Sequence, residues 1–252
     1  MALQDDYYLH NWPWSVGTGS LTGFTKNGEE NENTQFIGFG PFNRPTIIWA
    51  GHPDGDGGDG GAGGWNGSLF PIDNTKTYRF SVWYNRVSLG NPADWTAADR
   101  GRHYFGCRGY TNGTNTGVVN LSSGLTDTNF YFYNVSSSNY AAWYEIGEWH
   151  LMVSFIHPHD YTGPIRHPDT GVWRKDGTSF YDMYRNAKWL PTSTHTLHRV
   201  YLYYFLNDDT ALQYWCYPRV DLVDGNEPSL QKLLRHGVSR TLNTSIGRIV
   251  LT

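Results

Sequence analysis

Three aspartates in a glycine-rich stretch are the first residues whose type and spacing suggest chemistry. Asp54, Asp56 and Asp59 alternate with glycines in the segment DGDGGDGG. Carboxylate oxygens are the ligands that Ca²⁺ takes in proteins, and glycines allow the backbone to turn sharply around an ion. The position that an EF-hand loop reserves for glutamate is Trp65 here, so that pattern is not met. We predict a calcium site at the three aspartates, and the alternative is a solvated glycine loop without an ion.

Two histidines form a second candidate for metal binding. His157, His159 and Asp160 lie in the segment IHPHDYTG. Histidines two residues apart on an extended segment point to the same side, where they can share a transition metal with a carboxylate. Pro158 favours a turn instead, and a turn would separate the two rings. Both alternatives are consistent with the sequence.

Paired carboxylates are the residues that glycoside hydrolysis would need, one on each side of the scissile bond. The sequence offers Glu145 with Glu148, and Asp94 with Asp99, each pair close to a tryptophan. Both pairs also match ordinary surface charge. The nucleophile elbow G-x-S-x-G, the Walker loop and the H-E-x-x-H motif do not occur. We therefore expect a protein that is not an enzyme.

Aromatic residues in polar, loop-like segments are the strongest functional signal, in a chain with 11 Trp and 18 Tyr. Sugar rings present apolar C–H faces that stack on indole and phenol rings, while neighbouring polar groups bind the hydroxyls. The alternative is that each ring anchors its own loop to the core. The residues predicted to bind a sugar are Trp95, Trp143, Tyr144, Trp173, Tyr181 and Trp189.

The elements that would position these residues are short strands. In residues 77–87, alternation places Tyr78, Phe80, Val82 and Tyr84 on one face. Further strands are predicted at 103–107, 117–121, 129–133, 149–157, 199–206 and 212–222, between turns rich in Gly, Asn and Ser. This spacing indicates a sandwich or barrel, and no alternating helices are present to build a parallel α/β sheet.

One short helix is predicted near the C-terminus. Asn226 is the expected cap, Pro228 lies in the first turn, and Leu230, Leu233 and Leu234 form an apolar stripe. The fold class is therefore an all-β jelly-roll sandwich with one short C-terminal helix. Residues 1–35 are predicted to form an arm or irregular segment, and residues 36–252 the jelly-roll domain with the helix and a tail strand.

Charge and apolar patterning exclude two classes of partner. The formal net charge is −4 and no basic stripe occurs, so no nucleic-acid partner is expected. No segment approaches the roughly 20 apolar residues of a membrane span, and the first residues lack the pattern of a signal peptide. The two cysteines, Cys107 and Cys216, are consistent with one disulfide or with two buried thiols.

Three segments together resemble a known family. They are GGWNGSLFPIDNTKTYRFSVWYNR at 63–86, EIGEWHLMVSFIHPHDYTG at 145–163, and HRVYLYYFLNDDTALQYWCYPRVDLVDGNEPSL at 198–230. In this order they resemble the jelly-roll domains at the tips of phage tail fibres and adhesins. Those domains are similar to carbohydrate-binding modules of the galactose-binding-like fold.

The resemblance implies a non-enzymatic virion or cell-surface protein of the receptor-binding type, located on a virion surface or outside the cell. Such a protein would recognise a surface glycan through loop aromatics and contact other virion or fibre proteins. The resemblance also suggests a structural calcium near Asp221 and Asp224. The polar arm and the apolar tail 246–252 favour a homotrimer. The alternatives are a virion decoration or fibre-assembly protein without sugar binding, and a glycan-cleaving enzyme.

Overall fold

The computed structural model of the chain describes residues 14–56, 61–91, 93, 101–136, 145–181, 186–205 and 207–236. These residues form two β-sheets that pack face to face, followed by one short helix. The predicted all-β sandwich with a short C-terminal helix is confirmed. Strand pairing is antiparallel except between two strands of the first sheet, Trp149–His157 and Ala187–Lys188.

The strands are numbered in chain order. They are β1 (Gly17–Thr18), β2 (Phe24–Lys26), β3 (Asn33–Phe39), β4 (Pro45–Gly51), β5 (Gly61–Gly67), β6 (Phe70–Pro71), β7 (Tyr78–Ser88), β8 (Arg102–Thr111), β9 (Thr114–Asn115), β10 (Val118–Asn120), β11 (Thr126–Asp127), β12 (Tyr131–Ser136), β13 (Trp149–His157), β14 (Gly171–Trp173), β15 (Ser179–Tyr181), β16 (Ala187–Lys188), β17 (His195–Tyr203) and β18 (Leu212–Leu222).

Eleven of these strands form the first sheet, in the order β1-β3-β4-β18-β7-β13-β16-β10-β11, with β14 added on β13 and β15 on β14. The second sheet has seven strands, in the order β12-β8-β17-β5-β2, with β6 paired to β17 and β9 to β8. The long central strands of both sheets are not neighbours in sequence. Their pairing therefore brings together segments that are far apart along the chain.

The main core lies between the two sheets. Tyr78, Phe80, Val82 and Tyr84 of β7 are all buried there, as their alternation predicts. From the second sheet, the same core receives alternate residues of β17, among them Val200. Because successive side chains of a strand point to opposite faces, the remaining residues of each strand lie on the outer faces.

The outer face of the first sheet carries a second apolar cluster. Trp83 and Leu151 pack there against helix α1 (Leu230–His236). The helix presents Leu230, Leu233 and Leu234 to this cluster, which confirms the predicted stripe. Its cap differs from the expected Asn226.

The helix is capped by Ser229. The Oγ atom of Ser229 accepts a hydrogen bond from the backbone N–H of Lys232 at 3.2 Å, which satisfies a donor of the first turn.

The first described residues are part of the sandwich and not a separate arm. Strand β1 pairs with β3, and β2 pairs with β5, so the segment joins both sheets. Phe24 is buried in the main core, where its ring lies 5.2 Å from that of Trp14. Residues 1–13 and 237–252 lie outside the described residues. The tail strand and the homotrimer therefore stay predictions.

Both cysteines are free and buried, Cys107 in β8 of the second sheet and Cys216 in β18 of the first. The structure thus has two buried thiols, the second of the two alternatives left open by the sequence. Within the described residues, no helix is long and apolar enough to cross a membrane.

Candidate functional site

The outer face of the second sheet concentrates aromatic and polar side chains. Val200 and Leu202 of β17 are buried in the main core. Arg199, Tyr201 and Tyr203 alternate with them and therefore lie on the opposite, outer face. Rigid strands thus position these three residues, and no loop is needed to hold them.

Strand register extends this face into ordered rows. In one row, Arg199 lies opposite Gly106 of β8, and Gly106 lies opposite Tyr131 of β12. In the next row, Tyr201 lies opposite Tyr104. The four outward tyrosines of these strands will be called the tyrosine platform, and they are Tyr104, Tyr131, Tyr201 and Tyr203.

The platform rings contact one another. Tyr104 lies 4.5 Å from Tyr131 between ring centroids, and Tyr131 lies 6.0 Å from Tyr201. Tyr203 meets Tyr104 edge to face at 6.4 Å. Such tilted pairs are favourable and fix ring orientation. Three of the rings are partly exposed, while Tyr201 is 6% exposed and belongs to neither core cluster.

Arg199 lies beneath the platform, and it is fully buried. Its Cζ atom is 3.9 Å from the ring centroid of Tyr131 and 5.6 Å from that of Tyr201. Its Nη1 donates to Oδ1 of Asn129 at 2.9 Å, and its Nη2 donates to the carbonyl oxygen of Phe130 at 2.7 Å. Burial raises the pKa of the Tyr131 phenol to about 12, although the nearby Arg199 charge opposes that rise.

A glycine between two strands makes this arrangement fit. Gly106 lies between Arg199 and Tyr131 in the row, so the arginine side chain crosses a position without a Cβ atom. A Cβ atom added at Gly106 would lie 2.6 Å from the Phe130 carbonyl oxygen and 2.9 Å from Cδ1 of Tyr131. Both distances are below van der Waals contact, so the row depends on glycine here.

Polar groups surround the rings. The Tyr201 hydroxyl donates to Oδ1 of Asn66, and Nη1 of Arg102 donates to Oδ1 of Asn134 at 2.9 Å. An arginine can only donate, so Oδ1 of Asn134 is the acceptor in this hydrogen bond, and the Nδ2 group of Asn134 is a donor. Arg108 is partly exposed, and its buried Nε atom has no hydrogen-bond partner within the described part of the chain.

A separate acidic cluster contains two of the three predicted calcium ligands. One ligand oxygen each from Glu29, Asp54 and Asp56 lie within 4.8 Å of one another. Nδ2 of Asn31 donates to Asp54 at 2.8 Å, and this hydrogen bond is the main reason that the pKa of Asp54 is lowered. Asp59 lies outside the described residues. The calcium site stays a prediction, with Glu29 as a third carboxylate that the sequence did not indicate.

The six predicted sugar-binding aromatics are not brought together in the described residues. Trp173 is half-buried in β14, and its Nε1 donates to the carbonyl oxygen of Asp169 at 3.1 Å. Tyr181 ends β15, which pairs with β14. Three others, Trp95, Trp143 and Tyr144, lie outside the described residues.

Trp189 requires a correction. It was expected at the surface because its segment AKWLP is polar and loop-like, but its side chain has no exposed area. Its ring packs edge to face against Tyr78 at 5.8 Å, and its Nε1 donates to the carbonyl oxygen of Lys76 at 3.2 Å. Trp189 is thus a core residue that cannot stack on a ligand in this conformation.

Of the carboxylates considered as candidates for glycoside hydrolysis, Glu145 lies among basic side chains. Glu145 contacts Nε of Arg174 at 3.0 Å and Nε2 of His150 at 3.6 Å. The hydrogen bond from Arg174 lowers the pKa of Glu145, whereas a general acid needs a raised one. Asp94 and Asp99 lie outside the described residues.

The other residues considered as metal ligands contact other groups of the protein. His157 is buried, and its ring stacks on Tyr161 at 3.9 Å, while Nδ1 of His159 lies 3.3 Å from the carbonyl oxygen of Asn74. The turn alternative therefore fits this segment better than a shared metal. Asp221 is also excluded as a calcium ligand, because both of its carboxylate oxygens bind buried arginines.

The platform was missed by sequence reasoning, although a signal for it exists. In the segment RVYLY (199–203), Arg and Tyr alternate with Val and Leu, so one face of the strand is apolar and the other aromatic and basic. Similar alternation in RHYFGCRGY (102–110) leaves Arg102, Tyr104, Arg108 and Tyr110 on one face. The predicted sugar-binding aromatics belong to segments that are loop-like in sequence, whereas the platform tyrosines lie in strands.

Comparisons with known proteins show a distant likeness to two solved structures. No protein-family model and no curated protein matches the chain. An arabinose-bound MgGH51 α-L-arabinofuranosidase aligns with 82% of this chain and 25% of its own, at a TM-score of 0.40 and 10% identity. An exo-β-agarase aligns with 90% of this chain and 26% of its own, at a TM-score of 0.45 and 8% identity. The chain thus spans about a quarter of each.

The predicted non-enzymatic virion or cell-surface receptor is corrected by these findings. The two structures above are named as an α-L-arabinofuranosidase and an exo-β-agarase, and neither is named as a phage fibre, virion or adhesin protein. The loop aromatics that the prediction relied on include Trp189, which is in the core. The expected absence of enzymatic activity and the extracellular location stay predictions.

Proposed function

We propose that this β-sandwich binds a carbohydrate chain on the tyrosine platform, at the outer face of the second sheet. The observation that carries the proposal is the continuous contact of Tyr203, Tyr104, Tyr131 and Tyr201 across neighbouring strands. The three partly exposed rings, Tyr104, Tyr131 and Tyr203, offer apolar stacking surfaces for sugar units, and the surrounding amides and guanidinium groups offer hydrogen-bond donors for their hydroxyls.

The platform is suited to binding because its rings are held before any ligand arrives. Each ring extends from a paired strand and touches at least one other ring, so few side-chain rotations would have to be frozen on binding. A pre-organised surface loses less entropy on association than mobile loops do. The Nδ2 group of Asn134 and the guanidinium of Arg108, whose Nε atom has no hydrogen-bond partner within the described residues, are the polar groups best placed to contact hydroxyls.

Glycan cleavage remains the alternative, and the composition of the second sheet limits where it would occur. Its seven strands contain no aspartate or glutamate. A glycosidase needs two carboxylates beside the scissile bond. Cleavage at the platform would therefore need carboxylates from outside these strands, whereas binding needs only what the platform already presents.

The test is binding to a panel of soluble polysaccharides by affinity electrophoresis and calorimetry, together with an assay for newly formed reducing ends. Tyr104→Ala and Tyr131→Ala should each weaken binding by about 2 kcal/mol, near 30-fold, if the rings stack on sugar. Tyr214→Ala is the matched control, because Tyr214 is a half-buried tyrosine of the first sheet, whose ring meets that of Phe36 edge to face at 5.3 Å.

Circular dichroism and melting curves would confirm that each variant is folded. Wild-type protein that binds no member of the panel would refute the proposal. Binding that survives both platform substitutions would move the site elsewhere, and reducing ends formed by wild-type protein would favour the glycan-cleaving alternative.

A further inference from the structure

Two buried arginines of the first sheet are neutralised by one buried carboxylate. Arg79 donates to Oδ2 of Asp221 through Nε at 3.1 Å and Nη2 at 2.6 Å. Arg219 donates to Oδ1 of the same aspartate at 2.5 Å. Burial of a charge is costly unless an opposite charge and hydrogen bonds compensate it, and here one carboxylate serves both arginines.

Arg199 in the second sheet is equally buried but has no carboxylate partner among the residues that the structure describes. Its hydrogen bonds go to two neutral oxygens, on Asn129 and Phe130, and within the described residues no acidic group forms an ion pair with it. Asp127 is close in sequence to Asn129, but its Oδ1 atom accepts a hydrogen bond from the backbone N–H of Asn129. The positive charge under the platform is therefore only partly compensated, by neutral acceptors and by ring faces.

The rest of the face has the same sign. Arg102 and Arg108 lie on the outer side of β8, on either side of the Tyr104 and Gly106 positions, about 20 Å apart along the strand. The seven strands of the second sheet contain four Lys and Arg residues and no Asp or Glu, although the whole chain has a net charge of −4. The positive character is thus local to this sheet.

We propose that the carbohydrate bound by the tyrosine platform is anionic and carries carboxylate or sulfate groups on its sugar units. This inference rests on the proposed function and narrows it to one ligand class. A carboxylate or sulfate near Arg108 or Arg102 would gain charge-assisted hydrogen bonds. Its charge would also compensate Arg199 through the Tyr131 ring, where water is partly excluded and electrostatic interactions are strong.

Single-stranded nucleic acid is the other polymer that combines stacking rings with negative charge. It carries one phosphate per nucleotide, and proteins that bind it track that backbone with a positively charged groove. Here only two arginines of the platform face are partly exposed, and the chain is acidic overall. A polymer with charges spaced among neutral hydroxyls fits the platform better.

The experiment compares pairs of polymers that differ only in charge. Polygalacturonate is paired with its carboxyl-reduced form, and a sulfated galactan with its desulfated form, so the two pairs also separate carboxylate from sulfate recognition. At least one charged polymer should bind about tenfold more tightly than its neutral partner at about 50 mM salt, and the preference should shrink at about 500 mM because salt screens exposed charges.

Arg108→Gln should remove most of this preference without lowering the melting temperature, because the Nε atom of Arg108 makes no hydrogen bond within the described residues. Arg44→Gln, at an exposed arginine outside the second sheet, is the matched control. If charged and neutral polymers bind equally tightly and Tyr104→Ala weakens both, the ligand is not selected by charge. That result would overturn the anionic assignment but not the proposed binding at the tyrosine platform. Binding of oligo-dT as tightly as of any polysaccharide would overturn it too, and no binding at all would refute both proposals.

Discussion

The guanidinium carbon of Arg199 lies 3.9 Å from the ring centroid of Tyr131, in a position where the arginine has no exposed surface. A desolvated cation over an aromatic face is stabilised by about 2 kcal/mol or more. The two residues come from strands that are separated by β8, so this contact also ties β12 to the centre of the second sheet. Structure and proposed function therefore depend on the same pair.

Gly106→Ala should disrupt that pair. The new Cβ atom would lie 2.6 Å from the Phe130 carbonyl oxygen, so β12 and the Tyr131 ring must shift. We expect the free energy of unfolding to fall by about 1–3 kcal/mol, as for other overpacked sites. Urea denaturation is the measurement, with Gly17→Ala as the control, because a Cβ atom at Gly17 meets only Gln35 Oε1 at 3.9 Å. Equal stability of the two variants would contradict this account.

Acid should destabilise the fold, starting near neutral pH. His198 is fully buried and its Nε2 donates to the Ser81 carbonyl oxygen at 3.1 Å, while its Nδ1 has no hydrogen-bond partner among the described residues. Burial lowers the pKa of His198 to about 3 and those of His150 and His157 to about 4. A lowered folded-state pKa means that stability is complete above the unfolded value near 6.5 and is lost as pH falls towards 3–4.

The measurement is the free energy of unfolding between pH 7.5 and about 4.5, where each such histidine contributes up to roughly 2–3 kcal/mol of loss. His198→Phe keeps a ring in the slot next to Trp65, whose ring stacks on His198 at 6.0 Å. The variant should lose less stability on acidification than wild type. A wild-type stability that is flat over this pH range would refute the prediction.

Local patterns predicted the strands because alternation is a property of neighbouring residues. Strands β13 and β18 match the predicted ranges, and the inward face of β7 was named residue by residue. The helix stripe was equally local. By contrast, the cap moved to Ser229, since several residues of that turn have side chains that can accept an N–H bond.

The platform could not be predicted with the same ease, because it assembles through cross-strand register. Tyr104 and Tyr201 become neighbours only when β8 pairs with β17, and Tyr131 joins them only because Gly106 leaves room for Arg199. Glu29 joins Asp54 and Asp56 for the same kind of reason, through loops of distant strands. These contacts cannot be predicted from the spacing of the residues along the sequence.

Calcium should raise the melting temperature if Glu29, Asp54 and Asp56 form a site. An ion that binds only the folded chain stabilises it by about 2.7 kcal/mol when its free concentration is 100 times the dissociation constant. Melting curves with calcium and with a chelator are the measurement. Asp56→Asn should abolish the shift, whereas Asp73→Asn, at an exposed aspartate outside the cluster, should not. Identical curves with calcium and chelator would leave the loop as a solvated acidic cluster.

Trp189 and Trp173 should separate a core role from a surface role. Trp189 has no exposed area and packs against Tyr78 in the main core, so Trp189→Ala should cost about 3–5 kcal/mol of unfolding free energy. Trp173 is half-buried on the outer cluster, and Trp173→Ala should cost clearly less because part of its ring is already in water.

Each tryptophan variant needs two measurements, chemical denaturation and binding to a polysaccharide to which the wild-type protein binds. Trp189→Phe is the intermediate variant, since it keeps one aromatic ring in the core but loses part of the ring volume and the hydrogen bond to the Lys76 carbonyl oxygen. Both alanine variants should bind as wild type does wherever they remain folded, because neither tryptophan belongs to the tyrosine platform. A folded Trp173→Ala protein that no longer binds would place a sugar contact on the first sheet, against the assignment made here.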